Sequence, residues 1–179
     1  MMIPDTKDWT WVLERPCPEC GLDTPTVAFE QIPGMFRANA AAWTELLAGD
    51  PARLRERPRP EVWSALEYAC HVRDVYRLCV VRLNLMLAED DPQFANWDQD
   101  ATADEERYGE QDPAAVSVEL AAAVDQLAHA LEAVPDAARA RTGLRSDGAR
   151  FTVESFARYV IHDPVHHRYD VTGQQHQAS

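Results

Sequence analysis

The chain has 179 residues, 46% of them hydrophobic, and a formal net charge of −13. That length suggests one domain, residues 1–179, whose core is large enough that folding requires neither disulfides nor a structural metal. The acidic balance excludes nucleic acid and anionic membrane as partners, because both need a basic surface. No apolar run approaches the length of a transmembrane helix, and MMIPDTKDWTW lacks the basic start and apolar block of a signal peptide. The expectation is a soluble, cytoplasmic protein.

Residues 1–28 are rich in Pro, Asp and Thr and read as an extended N-terminal arm with turns. Residues 30–48 space Met35, Phe36, Ala40, Trp43, Leu46 and Leu47 as an amphipathic helix, which stops at Gly49-Asp50-Pro51. A proline-rich loop, 51–60, leads to the longest periodic run, 61–88. There Val62, Leu66, Ala69, Val72, Tyr76, Cys79, Leu83 and Leu87 form one stripe. Residues 89–111 are acidic and irregular, a length of loop that is often functional, and are expected to wall a pocket. Asp112 and Pro113 open a third helix, 112–134. A turn at 135–150 contains Gly143 and Gly148, and Thr152 caps a fourth helix, 152–173, before a polar tail, 174–179. With no convincing strand pattern, the fold class is all-α: an up-and-down-type four-helix bundle, in which sites are built from side chains facing one another across the core. A dimer is compatible with such a bundle, and nothing requires one.

The segment IHDPVHHRYDV, 161–171, is unusually polar for a bundle helix. His162 and His166, four residues apart, lie on one face one turn above the other. His167 points about 140° away from His162. A metal would need a third ligand from another helix. His129 lies opposite the apolar stripe of its helix and His176 lies in the tail, which leaves His71, with Glu67 and Asp74 one turn away. The expected metal ligands are therefore His71, His162 and His166, and Zn²⁺ or Ni²⁺ would suit them with one position left open. Glu67, Asp163 and Asp170 are the candidates for general base or for orienting a ligand. Two other readings stand beside this one: core histidines joined by hydrogen bonds, and a non-catalytic metal-binding or stress-response protein. Pro164 also leaves open whether the last helix is kinked or restarts at Asp163-Pro164.

RPCPECGLD, 15–23, contains one C-x-x-C, half of a zinc knuckle, and Cys70 and Cys79 do not supply the other half. It reads as a tight turn whose thiols pin the arm to the bundle. A second option is that Cys17 or Cys20 reaches the mouth of the metal site.

EYACHVRDV followed by a late HDPVHH resembles the DinB/YfiT-like four-helix-bundle metalloproteins, and DWTWVLERPCPECGLD resembles a bacterial subgroup of them common in actinobacteria. The resemblance implies one divalent metal held by three histidines, which by position are His71, His162 and His166. It also implies a metal-dependent enzyme acting on a small molecule: an S-transferase or isomerase dependent on a low-molecular-weight thiol such as mycothiol or bacillithiol, or a hydrolase. Members commonly carry Gly-Gln just after the last histidine; this chain has Arg168-Tyr169 there.

Overall fold

Short polar side chains start the helices where free backbone N–H groups need acceptors. After α1 (Ile32–Leu47), Asp50 caps the single turn of α2 (Pro51–Leu54). Ser64 caps α3 (Ala65–Ala88), and Glu67 reaches back to the Ser64 N–H at 2.8 Å. Asp98 caps α4 (Gln99–Glu105). Asp112, followed by Pro113 at the first helical position, caps α5 (Pro113–Glu132). Thr152 Oγ1 accepts from the Ser155 N–H at 3.0 Å and opens α6 (Val153–Thr172). Gly173, at φ 68°, ends α6 in the left-handed conformation that a residue with a Cβ adopts at a cost. The computed structural model describes residues 8–177. The first seven residues, including most of the stretch read for a signal peptide, and the last two lie outside them.

The four long helices form a bundle around Phe36, Trp43, Leu66, Tyr76, Leu83, Met86, Leu120 and Ile161, all buried. Its topology departs from the expected up-and-down order. α5 packs along both α1 and α3, and α6 packs more sparsely against the same two helices from the other side. Going round the bundle, the order is α1, α5, α3, α6, so the chain crosses a diagonal between α1 and α3 and again between α5 and α6. Segments 48–64 and 133–152 are long enough to make those crossings, where a tight loop would force adjacent helices together.

The second crossing carries a hairpin that was not expected: β1 (Thr142–Leu144) pairs antiparallel with β2 (Arg150–Thr152). Gly143 is required where β1 meets the bundle, since a Cβ there would sit 2.5 Å from Phe94 Cζ and 2.9 Å from Met86 Cγ. Leu144 exchanges backbone hydrogen bonds with Pro92 and Phe94. The hairpin therefore anchors the start of the acidic loop 89–111 beside α3.

α6 runs unbroken through Pro164. The Pro164 carbonyl accepts from Asn39 Nδ2 at 3.1 Å and Trp43 Nε1 at 3.4 Å, both on α1. Asn39 Oδ1 in turn accepts from Tyr76 of α3 at 2.8 Å. This buried network ties three helices at the level where α6 presents its histidines. α5 is long and apolar enough to cross a membrane by length and composition alone, contrary to the reading that no run approaches that length. It packs along α1 and α3.

Candidate metal centre

At 100° per residue, Phe156, Ala157, Val160, Ile161 and Pro164 centre the apolar stripe of α6, and Asp163 and His167 lie roughly 50–90° to one side of it. That flank faces α3 and carries the first group of donors. His71, Asp163 and His167 offer one ligand atom each, all within 4.8 Å of one another. His71 Nε2 is 3.4 Å from Asp163 Oδ1, and His167 Nε2 is 3.6 Å from Asp163 Oδ2. His71 is buried, while Asp163 and His167 are partly exposed toward a cleft.

Both ring nitrogens of His71 and Oδ1 of Asp163 are buried without a hydrogen-bond partner among the described residues. Such groups cost free energy unless something satisfies them. His167 is oriented from behind: its Nδ1 donates to Asp170 Oδ2 at 3.0 Å, which leaves Nε2 facing Asp163. Burial raises the Asp163 carboxyl, but His167 and His71 outweigh it and hold its pKa well below the usual range. Burial disfavours the His167 cation, but Asp163 and Asp170 outweigh it and push its pKa up to about 10. The group thus stabilises positive charge, and its unsatisfied atoms are the kinds a divalent cation takes. The residues fit a metal.

The expected trio is divided. His162 and His166 remain together, with ring centroids 5.0 Å apart, but they meet Cys17 and Cys20 of the arm and not His71. They point roughly 150–170° from the centre of the apolar stripe; the arm covers them, and both still border the cleft beside Trp9 and Glu19. Trp9 lies over both rings at 5.3 and 4.9 Å. Burial lowers both their pKa values, that of His162 to about 4, so both rings are neutral near pH 7. Burial likewise pushes the Cys20 thiol up to about 12.

Of the proposed acid/base groups, Asp163 stands among the donors and Asp170 behind them. Glu67 does not line the cleft: Arg57 Nε donates to it at 2.9 Å, and it completes the cap of α3. His129 is exposed, as its position on α5 suggested.

The cleft holds about 600 Å³, within the range of small-molecule sites. Trp63 and Trp97 flank His71 at 5.3 and 5.5 Å, and Tyr68 lies 4.9 Å from His167. Trp97 comes from the acidic loop, which does wall the cleft. Arg82 and Arg145 also line it, and Arg82 lies roughly 16 Å along α3 from His71 at 1.5 Å per residue. Sequence reasoning passed over Arg82, although its step from His71 through Val75 and Leu78 keeps to one helix face.

Two solved structures share this architecture. One is described as "YfiT from Bacillus subtilis is a probable metal-dependent hydrolase with an unusual four-helix bundle topology". It aligns over 97% of this chain and 90% of its own, at 17% identity and a TM-score of 0.66. The other, a mycothiol-dependent maleylpyruvate isomerase, aligns over 83% of this chain and 62% of its own, at 14% identity and a TM-score of 0.68. At these identities the likeness concerns the fold. No curated protein matches the chain by sequence. The family model of the DinB superfamily matches residues 35–171, from α1 to the end of the histidine cluster, and the chain belongs to that superfamily.

Proposed function

We propose that the protein is a metal-dependent enzyme acting on a small molecule, with His71, Asp163 and His167 as the ligands of one divalent ion, Zn²⁺ or Ni²⁺. This set revises the expected trio, keeping His71 and replacing the HxxxH pair by the DxxxH pair one step round the helix. The observation that carries the reading is the convergence of three donors from α3 and α6 with buried unsatisfied atoms, of which Asp163 and His167 line the cleft and His71 is buried beside them. Sites with two imidazoles and one carboxylate and an open position are typically catalytic.

An ion held there would polarise a carbonyl or lower the pKa of a water or thiol brought beside it. The chain's own groups do the rest. Asp170 fixes the ring of His167, a positioning role. Trp63, Trp97 and Tyr68 exclude water around the donors and offer faces for an apolar substrate body. Arg82, whose Nε is buried without a hydrogen-bond partner among the described residues, suits an anionic group at the other end of the cleft. We propose a small organic acid or its thiol adduct as the substrate class. The nucleophile is a water or a low-molecular-weight thiol, and the similarity in fold to a mycothiol-dependent enzyme supports the thiol.

The test is turnover of a panel of small electrophiles and esters by metal-loaded protein, with and without a low-molecular-weight thiol, beside Asp163→Asn. Activity that depends on metal and falls by two orders of magnitude or more in the variant is expected. Stoichiometric metal with no turnover under any condition would favour a non-catalytic metal-binding protein.

A further inference from the structure

We propose that Cys17, Cys20, His162 and His166 form a second metal site, a closed structural zinc centre that clips the N-terminal arm onto the outer face of α6. The missing half of the knuckle in CPEC is the HxxxH pair, 142 residues further along the chain.

Four observations carry this. The four side chains offer two sulfurs and two imidazole nitrogens within 4.8 Å of one another, and all four residues are buried. Tetrahedral zinc with two thiolates and two imidazoles needs donor separations of roughly 3.3–3.8 Å, and Cys17 Sγ lies 3.6 Å from His166 Nδ1. His162 is only 4% exposed, and its Nε2 is buried with no hydrogen-bond partner among the described residues. His166 presents Nδ1 to the sulfurs while its Nε2 faces Asp170 at 3.7 Å and Glu19 at 3.6 Å, the carboxylate backing typical of a metal-bound imidazole.

The surroundings are built to hold the turn. Gly21 follows the second cysteine at φ 78°, and its N–H donates to the Cys17 carbonyl at 2.8 Å. The tail binds the same turn: Gln175 Nε2 donates to the Glu19 carbonyl at 3.0 Å, and the His176 N–H donates to the Cys20 carbonyl at 2.7 Å. The CPEC turn and residues 175–176 therefore meet beside α6.

The charge balance favours burial. Zn²⁺ with two thiolates and two neutral imidazoles carries no net charge, so the closed site avoids the cost of an uncompensated buried ion. Binding releases the two thiol protons to solvent, and no bond to carbon changes. The neighbouring His71–Asp163–His167 group has one carboxylate, would keep a net positive charge, and is open to the cleft. Structural zinc sites fill all four positions with protein ligands and catalytic ones leave one free; the Cys17–Cys20–His162–His166 set offers four ligands and the His71–Asp163–His167 set three, on adjacent faces of α6. Asp170 spans them, with Oδ2 on His167 and Oδ1 toward His166.

The test substitutes Co²⁺ for the native metal in untagged protein and records its absorption, together with zinc-edge X-ray absorption of the protein as purified. The expected result is a thiolate-to-cobalt charge-transfer band with intense tetrahedral d–d bands, and sulfur at about 2.3 Å from zinc. His71→Ala should retain this signal, and Cys17→Ser/Cys20→Ser should lose one equivalent of metal and the charge-transfer band. The X-ray measurement needs no variant, so a double mutant that fails to fold leaves the test intact. Zinc with only nitrogen and oxygen neighbours, a Cys17–Cys20 disulfide in the purified protein, or thiols that react at once with a thiol reagent in the metal-replete fold would each overturn the proposal.

Discussion

Asp170 shows how much one carboxylate can decide in a site it does not complete. It accepts from Nδ1 of His167 and faces Nε2 of His166, so its loss frees two rings to rotate. Asp170→Asn is expected to weaken metal binding in the cleft by about 10–100-fold while leaving the fold intact; competition with a chromogenic chelator would measure it, and unchanged affinity would remove Asp170 from the account. The residue types of this site were legible in the sequence: the polar face of 161–171, His71 as the partner from another helix, and Asp170 behind the ligands. Which i, i+4 pair faces α3 was not read. HxxxH drew attention because two imidazoles are better metal ligands than an imidazole and a carboxylate in the abstract. The rotation of α6 brings Asp163 and His167 beside His71 instead of that pair, and its apolar stripe sets that rotation. Measured against that stripe, His162 and His166 point away from the bundle. Their burial then requires a cover, and the only cysteine pair in the arm supplies it.

At the scale of elements, the caps were the most legible part of the fold, since Asp112-Pro113 and Thr152 state where helices begin in local chemistry. Glu67 illustrates the ambiguity that remains. A carboxylate one turn before a candidate ligand resembles a catalytic base, yet it is also the third residue after Ser64, the place from which a Glu closes a cap. The structure puts it there, paired with Arg57, with its side chain 8% exposed. Burial raises its pKa, but Arg57 and Ser64 outweigh that and leave it below the ordinary 4.5. A depressed carboxylate contributes stability that is present above its unfolded-state pKa and lost as pH falls through the folded one. Glu67→Gln should therefore cost about 1–3 kcal/mol at neutral pH, and the gap to the parent should close as pH falls below the ordinary carboxylate range and through the lowered folded-state value. Chemical denaturation at several pH values checks this; a gap independent of pH would contradict it. The hairpin of β1 and β2 escaped notice because three-residue strands give too short an alternation to distinguish from a turn.

At the scale of the whole molecule, four long helices and an arm were readable from periodicity, but their arrangement was not. Periodicity reports which face of a helix is apolar and says nothing of which helix covers it. The two diagonal crossings became visible only with the packing of α5 and α6 against α1 and α3. That arrangement matters for function. α6 meets α3 sparsely, and the cleft opens along that seam, walled by the acidic loop that the hairpin anchors. The arm covers the adjacent face of the same helix. The most direct measurement of this account is an anomalous difference map from crystals of untagged protein purified without chelator, collected at the zinc and nickel edges. The account predicts a peak between His71, Asp163 and His167 at the floor of the cleft. Stoichiometric metal with no peak there, all of it lying between Cys17, Cys20, His162 and His166, would contradict the proposed active site.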